Sequence, residues 1–221
     1  MKKLLLLIIA IGFLFGCAGE RVRTVQDDNI FYSSSTPKIR IKINPDFKFK
    51  EGTDEHETGF SLGHGEMSST QKLSNYLFID HISGKPRAIK IEIIEIVEHR
   101  WEFKPNIFGE KDPFKKGIVK IQGKDYQYCI YAVNTPDGFQ LIKGIGKLVG
   151  GQGKAIFIIY YYENVTGDWS NFNMLTSEQN KQLDEFIEDS EKDIQILDYK
   201  APTYTPSKGK WGALSFTNHR G

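Results

Sequence analysis

The chain predicts an α+β fold, a twisted antiparallel sheet of about six or seven strands with one C-terminal helix packed on it. Three observations carry this. Short runs in which β-branched or aromatic residues alternate with charged ones recur between residues 38 and 162. Turn-forming Gly, Pro, Asn and Asp separate these runs, as hairpins require. A single segment, 176–194, has helical spacing and a capping sequence at its start. A β-sandwich or barrel with the helix at its periphery fits the same pattern and is the alternative.

Lys38 to Lys50 reads Lys-Ile-Arg-Ile-Lys-Ile-Asn-Pro-Asp-Phe-Lys-Phe-Lys, which puts Ile39, Ile41 and Ile43, then Phe47 and Phe49, in alternation with charges. A period of two is strand geometry, and Pro45, which has no amide to give a ladder, interrupts it with a turn or bulge. Residues 76–82 and 88–103 form a hairpin about Ser83-Gly84-Lys85-Pro86, with Ile89, Ile91 and Ile93 alternating with Lys90 and Glu92. The adjacent Ile93-Ile94 breaks that alternation and is read as a β-bulge. The density of β-branched residues selects strand over helix here.

Residues 118–121 and 126–133 flank Gly123-Lys124-Asp125, and Thr135-Pro136-Asp137-Gly138 turns the chain into 139–142, so the simplest path is a meander. The glycine-rich run 144–154 reads as a flexible turn into 155–162. That strand is apolar or aromatic on both faces, so it belongs at the sheet's centre with both sides covered. Thr176-Ser177-Glu178-Gln179 has capping-box form. Leu183, Phe186, Ile187 and Ile194 make one apolar stripe, and Asp184, Glu185, Glu188, Asp189 and Glu191 make the solvated side. From residue 199 the chain reads as an extended tail, 199–221, with Trp211 and Phe216 as aromatic anchors.

The 221 residues carry 29 Lys+Arg against 28 Asp+Glu, with 39% hydrophobic and 26% charged residues. Such a composition excludes a disordered, collagenous or many-span membrane chain, and the near-zero charge argues against nucleic acid as a partner. The amino terminus is different. Met1-Lys2-Lys3 precedes the apolar run Leu4 to Phe15, which is shorter than the roughly 20 residues that span a bilayer and has the grammar of an export signal. The run closes on Leu14-Phe15-Gly16-Cys17.

That ending resembles the lipobox of bacterial lipoproteins: a branched apolar residue, a small residue, then cysteine. Phe15 departs from the pattern, where a small or β-branched residue is usual. The resemblance implies that the Cys17 sulfur is diacylated, that residues 1–16 are removed as a signal peptide, and that the new amino group is acylated. It also implies an address. Ala18 stands where Gram-negative members kept in the inner membrane commonly have Asp, so the expected site is the outer membrane, facing the periplasm. One acyl chain holds a protein marginally, but several, at about 0.8 kcal/mol per buried methylene, hold it permanently. Cleavage takes two of the 29 cations and none of the 28 acids, leaving 27 against 28. Residues 17–37, polar and containing Asp27-Asp28 and Ser33-Ser34-Ser35, read as the lipidated terminus and a tether on which Ile30-Phe31-Tyr32 docks locally. Residues 38–198 then make a single domain. Cys129 is the other cysteine, so no disulfide framework exists.

Candidate chemistry concentrates in residues 54–66. Gly59-Phe60-Ser61-Leu62-Gly63 matches the G-x-S-x-G nucleophile elbow, with His81 or His99 as the base it would use. Its context opposes it, because 51–58 is polar where an elbow needs a buried parallel strand. His56, His64 and Glu66 gather imidazole and carboxylate ligands suited to zinc or a harder ion, without the H-E-x-x-H spacing that a helix would need. An exposed polar loop explains the segment more simply. The run from Gly144 to Lys154 fails as a phosphate-binding loop, since Leu148 and Ala155 occupy the positions for Gly and Ser/Thr. Cys129, among Tyr126, Tyr128 and Tyr131, has no cation to stabilise a thiolate and reads as a buried small residue. Tyr160, Tyr161 and Tyr162 with Trp101 and Trp169 could line a ligand groove, but packing accounts for them.

These readings converge on a membrane-anchored cell-envelope module that binds or assembles rather than catalyses, with no cofactor, no nucleotide, and an envelope protein as the expected partner. The alternatives are a small envelope hydrolase or metal-binding protein using the 54–66 loop, and a carrier of lipid or another small ligand.

Overall fold

A computed structural model describes residues 22–58, 70–80, 82, 84–97, 103, 105–108, 113–171 and 174–199, apart from the side chains of 54–58 and 152. Its strands are β1 (Arg23–Gln26), β2 (Ile30–Ser33), β3 (Ile39–Ile43), β4 (Phe47–Thr58), β5 (Thr70–Asp80), β6 (Arg87–Ile96), β7 (Lys115–Ile121), β8 (Lys124–Thr135), β9 (Gly138–Val149), β10 (Ala155–Val165) and β11 (Ile194–Leu197). The helix α1 spans Ser177–Asp193. Seven strands form one antiparallel sheet in the order β4-β5-β6-β10-β9-β8-β7, and four form a second in the order β1-β2-β3-β11. The large sheet with its C-terminal helix is the α+β arrangement that the sequence predicts, and β10, apolar on both faces, lies at its centre.

The small sheet and α1 cover one face of the large sheet. Alternation sets the contact: Phe31, Ile39, Ile41 and Ile43 point inward from the small sheet to meet Tyr76, Ile89, Ile91 and Phe157. Phe31 and Tyr76 rings lie 4.7 Å apart, and Tyr161 meets Phe186 of the helix at 5.4 Å. Each large apolar side chain buried here contributes about 1.5–3 kcal/mol. Trp169, fully buried beyond β10, closes one end against Phe114 at 5.9 Å and donates its indole N–H to the Thr166 carbonyl at 3.0 Å.

The opposite face carries a smaller cluster of Cys129, Tyr131 and Ile142, with Phe108, Val133, Tyr160 and Tyr162 packed against it. Cys129 is buried in this cluster as a thiol outside any disulfide among the described residues, in keeping with its expected packing role. Gly144 and Gly146 are not part of a flexible turn. Both lie inside β9, where the absence of a side chain admits Phe108 over Gly144, and Ile107 and the Phe157 carbonyl at Gly146. Only residues 150–153 turn the chain, and Gly150 and Gly153 have φ of +80° and +62°.

Several boundaries differ from expectation. The run from Lys38 to Lys50 is two strands in two sheets, and the turn at Asn44 hands the chain from β3 to β4. No bulge occurs at Ile93-Ile94: Ile93 faces inward opposite Ser74 and Phe157, Ile94 faces outward opposite Leu73 and Ile156, and the register runs through. The register shift falls between Phe49 and Glu51 on β4. The polar stretch up to Thr58, read as part of a loop, continues β4 as an edge strand, where charged side chains are tolerated. β1 and β2 lie within the expected tether, because Phe31 is fully buried in the core and pulls the segment onto the sheet. Ile194 starts β11 instead of ending the helix stripe.

The capping box forms as its sequence requires. Gln179 N–H donates to Thr176 Oγ1 at 3.2 Å, and Thr176 N–H donates to Gln179 Oε1 at 2.9 Å. Thr176→Ala is expected to cost about 1 kcal/mol, read as a lower urea midpoint with unchanged slope.

Candidate functional site

Most residues with expected chemistry lie outside the described residues: Cys17, Ser61, His64, Glu66, His81 and His99. His56 is placed only by its backbone, in β4 opposite Lys72 of β5. Among the described residues, no group of three or more His, Cys, Asp or Glu side chains could hold a metal ion. Tyr160 and Tyr162, 6.0 Å apart, belong to the outer-face cluster, whereas Tyr161 points into the core. Trp169 is also core, and Trp101 lies outside the described residues.

The fold gathers a different set. Arg87 opens β6 at the same inward parity as Ile89 and Ile91, so its guanidinium is drawn into the interior. Its Nε donates to Asp80 Oδ2 at 2.7 Å, while Nη1 donates to Asp193 Oδ2 and to the Tyr161 hydroxyl, each at 3.2 Å. Tyr161 passes its own proton donor to Asp193 Oδ2 at 3.1 Å, and Asn44 Nδ2 donates to the other oxygen at 2.6 Å. The Phe47 ring lies 5.3 Å from the guanidinium carbon. Side-chain exposures of 9% for Arg87, 0% for Asp80 and 4% for Asp193 make this a buried charge cluster.

Burial pulls the Arg87 pKa down, but the Asp80 hydrogen bond and the charges of Tyr161, Asp193 and Asp80 outweigh it and raise it. Burial likewise raises Asp193, although the Asn44 bond, Arg87 and the Tyr161 bond oppose the rise. Burial raises Tyr161 well above its ordinary value, so it stays a proton donor. The chemistry is that of a clasp. It ties β5, β6, β10, the β3–β4 turn and the end of α1 together with every strong group already engaged.

Glu163 stands beside this clasp. Its Oε1 meets Lys85 Nζ at 3.3 Å, while its buried Oε2 has no hydrogen-bond partner among the described residues. Burial raises its pKa, against the opposing charge and hydrogen bond of Lys85. The folded state therefore holds this proton more tightly than the unfolded chain, and stability declines as pH rises from the ordinary carboxylate range through the folded-state pKa. Glu163→Gln is expected to raise the urea midpoint at neutral pH, with the gain shrinking as pH falls toward that range. An unchanged pH slope would count against it.

Two further cations hold the layers together. Lys143 donates to Ser190 Oγ at 2.9 Å and Glu191 Oε1 at 3.0 Å, and burial lowers its pKa despite Glu191. Arg23 donates to Ser74 Oγ at 2.7 Å, the Thr36 carbonyl at 2.7 Å and Glu95 Oε2 at 2.9 Å, pinning β1 to β5 and β6. Sequence reasoning missed all three cations. Arg87 and Lys143 were signalled by inward parity among buried apolar neighbours; Arg23 carried no signal.

Two shallow grooves lie among the described residues. One, of about 520 Å³, lies between the loop after β10 and the start of α1, near Asp168 and Gln179. The other, of about 630 Å³, lies between the Ser34–Lys38 connection and Lys147–Gly150. Neither is lined by a member of the Arg87 clasp. The chain has no match among protein-family models, curated proteins or solved structures.

Proposed function

We propose that the protein is a cell-envelope lipoprotein, anchored through acyl chains on Cys17 in the outer membrane and facing the periplasm, whose folded domain presents a non-catalytic surface for binding or assembly. The observation that carries this reading is the sequence Leu14-Phe15-Gly16-Cys17 at the close of a short apolar run that follows Lys2-Lys3. Its fit to export is physical: the run is too short to span, and cysteine stands where acylation would fix the chain to lipid. The domain adds support, because the Arg87 cluster is engaged with its own members at the end of the helix and lines neither groove.

The test is the intact mass of the amino-terminal peptide from protein made in its native cells. A peptide beginning at Cys17 and heavier by its acyl chains is the expected result; a free thiol at Cys17 or a retained leader overturns the reading. Cross-linking in intact cells followed by purification then identifies the envelope protein that the surface binds.

A further inference from the structure

We propose that the end of the domain carrying Lys38 lies against an anionic phospholipid bilayer and takes headgroup phosphates into the groove between the Ser34–Lys38 connection and Lys147–Gly150. The proposal rests on the lipid-anchored reading for the presence of the bilayer, and on the domain itself for the face that meets it.

Reach comes first. Arg23 is fixed to the large sheet through Ser74 and Glu95 and to the β2–β3 connection through the Thr36 carbonyl, while Ser34 N–H donates to the Val22 carbonyl and Val22 N–H donates to Ser34 Oγ, each at 2.9 Å. From Cys17 to Arg23 an extended chain spans about 20 Å, roughly half the diameter of a domain this size. An anchor so short cannot swing around the body, so the Ser34–Lys38 end stays beside the lipid surface.

Charge selects what that end meets. Ile39, Ile41 and Ile43 are buried, which turns Lys38, Arg40 and Lys42 to the outer face of the small sheet. Lys147 shares the groove with Lys38, and Lys124 stands near Lys147, whose pKa is lowered first by burial and then by that charge. Of the carboxylates at this end, Glu95 is held by Arg23 at 2.9 Å and Asp125 by Lys120 at 2.8 Å, while Asp198, one residue past Leu197 opposite Arg40, is exposed. Among the described residues, no carboxylate forms an ion pair with Lys38, Arg40 or Lys124. The groove itself offers the hydroxyls of Ser35 and Thr36 beside Lys38 and Lys147, with the Ser34 hydroxyl engaged by Val22 and Glu95 on its wall held by Arg23. Hydroxyls and ammonium groups together suit a phosphate.

The acidic part of the molecule is directed elsewhere. The last residue of α1, Asp193, bonds Asn44 at the opposite end of β3 from Lys38, so the helix carboxylates gather away from the anchor. The C-terminal residues are not the complement of this face either. Residues 200–221 contain Lys200, Lys208, Lys210 and Arg220 and no Asp or Glu. Like charge would repel them from it and attract them to the same anionic surface.

The test uses the whole mature chain, residues 17–221, with Cys17→Ala so that no acyl chain contributes, on phosphatidylcholine vesicles with and without phosphatidylglycerol. Binding is expected only with phosphatidylglycerol and is expected to weaken as salt rises. Each cation near such a surface is worth about fivefold in partitioning, so Lys38→Glu/Arg40→Glu/Lys124→Glu is expected to lose roughly a hundredfold. Lys115→Glu/Lys116→Glu/Lys181→Glu, with the same change in net charge at the far end, is expected to lose far less; circular dichroism confirms that both variants fold. Equal losses in the two variants, or binding indifferent to phosphatidylglycerol, overturn the proposal. The two readings fail separately. An unmodified Cys17 with phosphatidylglycerol binding intact removes the anchor and keeps the face, whereas an acylated Cys17 with no lipid preference removes the face and keeps the anchor.

Discussion

Arg87→Met is expected to destabilise the domain by about 3–5 kcal/mol, because it removes the cation and leaves buried carboxylates behind. Asp80 loses the donors at 2.7 Å and 2.5 Å, and Asp193 keeps only Asn44 and the Tyr161 hydroxyl. A domain has about 5–15 kcal/mol in all, so the variant should unfold at markedly lower urea. The asymmetry of buried charge makes a second variant informative. Asp80→Asn/Arg87→Met/Asp193→Asn removes the charges together, and it is expected to recover most of the loss, since neutral groups carry a smaller desolvation cost. A single variant costing under about 1 kcal/mol would mean that water reaches the cluster and screens it.

Cys17→Ser has the other large expected effect. Without its sulfur the chain cannot be acylated, and two or three chains at about 0.8 kcal/mol per buried methylene are lost from the attachment. Protein that sediments with membranes after a high-salt wash is expected to become removable by that wash. The wash matters because any remaining electrostatic attraction of the Lys38 end is screened at high ionic strength while acyl insertion is not. A serine variant that resists the wash as well as the parent does would remove the lipid-anchor reading.

The large sheet and α1 were legible because their signals are local and periodic. Ile89, Ile91 and Ile93 alternate on β6, β10 is apolar on both faces, and Thr176 with Gln179 announces the helix start. The second sheet was not legible. Its strands are short, β1 is half-buried throughout, and β11 follows α1 with no intervening turn residues. Such strands exist because of what they pair with, and pairing across the 151 residues from Ile43 to Ile194 leaves no local trace. The Arg87 clasp was missed: the shared parity of Arg87 with Ile89 and Ile91 is a local signal for an inward side chain, but Asp80, Tyr161 and Asp193 are brought to it only by tertiary structure. Gly144 and Gly146 misled for a related reason, because glycine serves close packing against a neighbour as readily as it serves turns.

If acyl chains on Cys17 hold the protein on a plane, as proposed, the irregularity between Phe49 and Glu51 bears on how copies crowd there. Confinement to two dimensions crowds copies together, and an open sheet margin invites another copy to add its backbone. β4 forms one such margin, and the register break there falls among the outward Lys48, Lys50 and Glu51. β7 forms the other, with Lys115, Lys116 and Lys120 exposed. Mismatched pleats and solvated ammonium groups deny a neighbouring molecule a straight template, so copies crowded by such an anchor would not stitch into fibres.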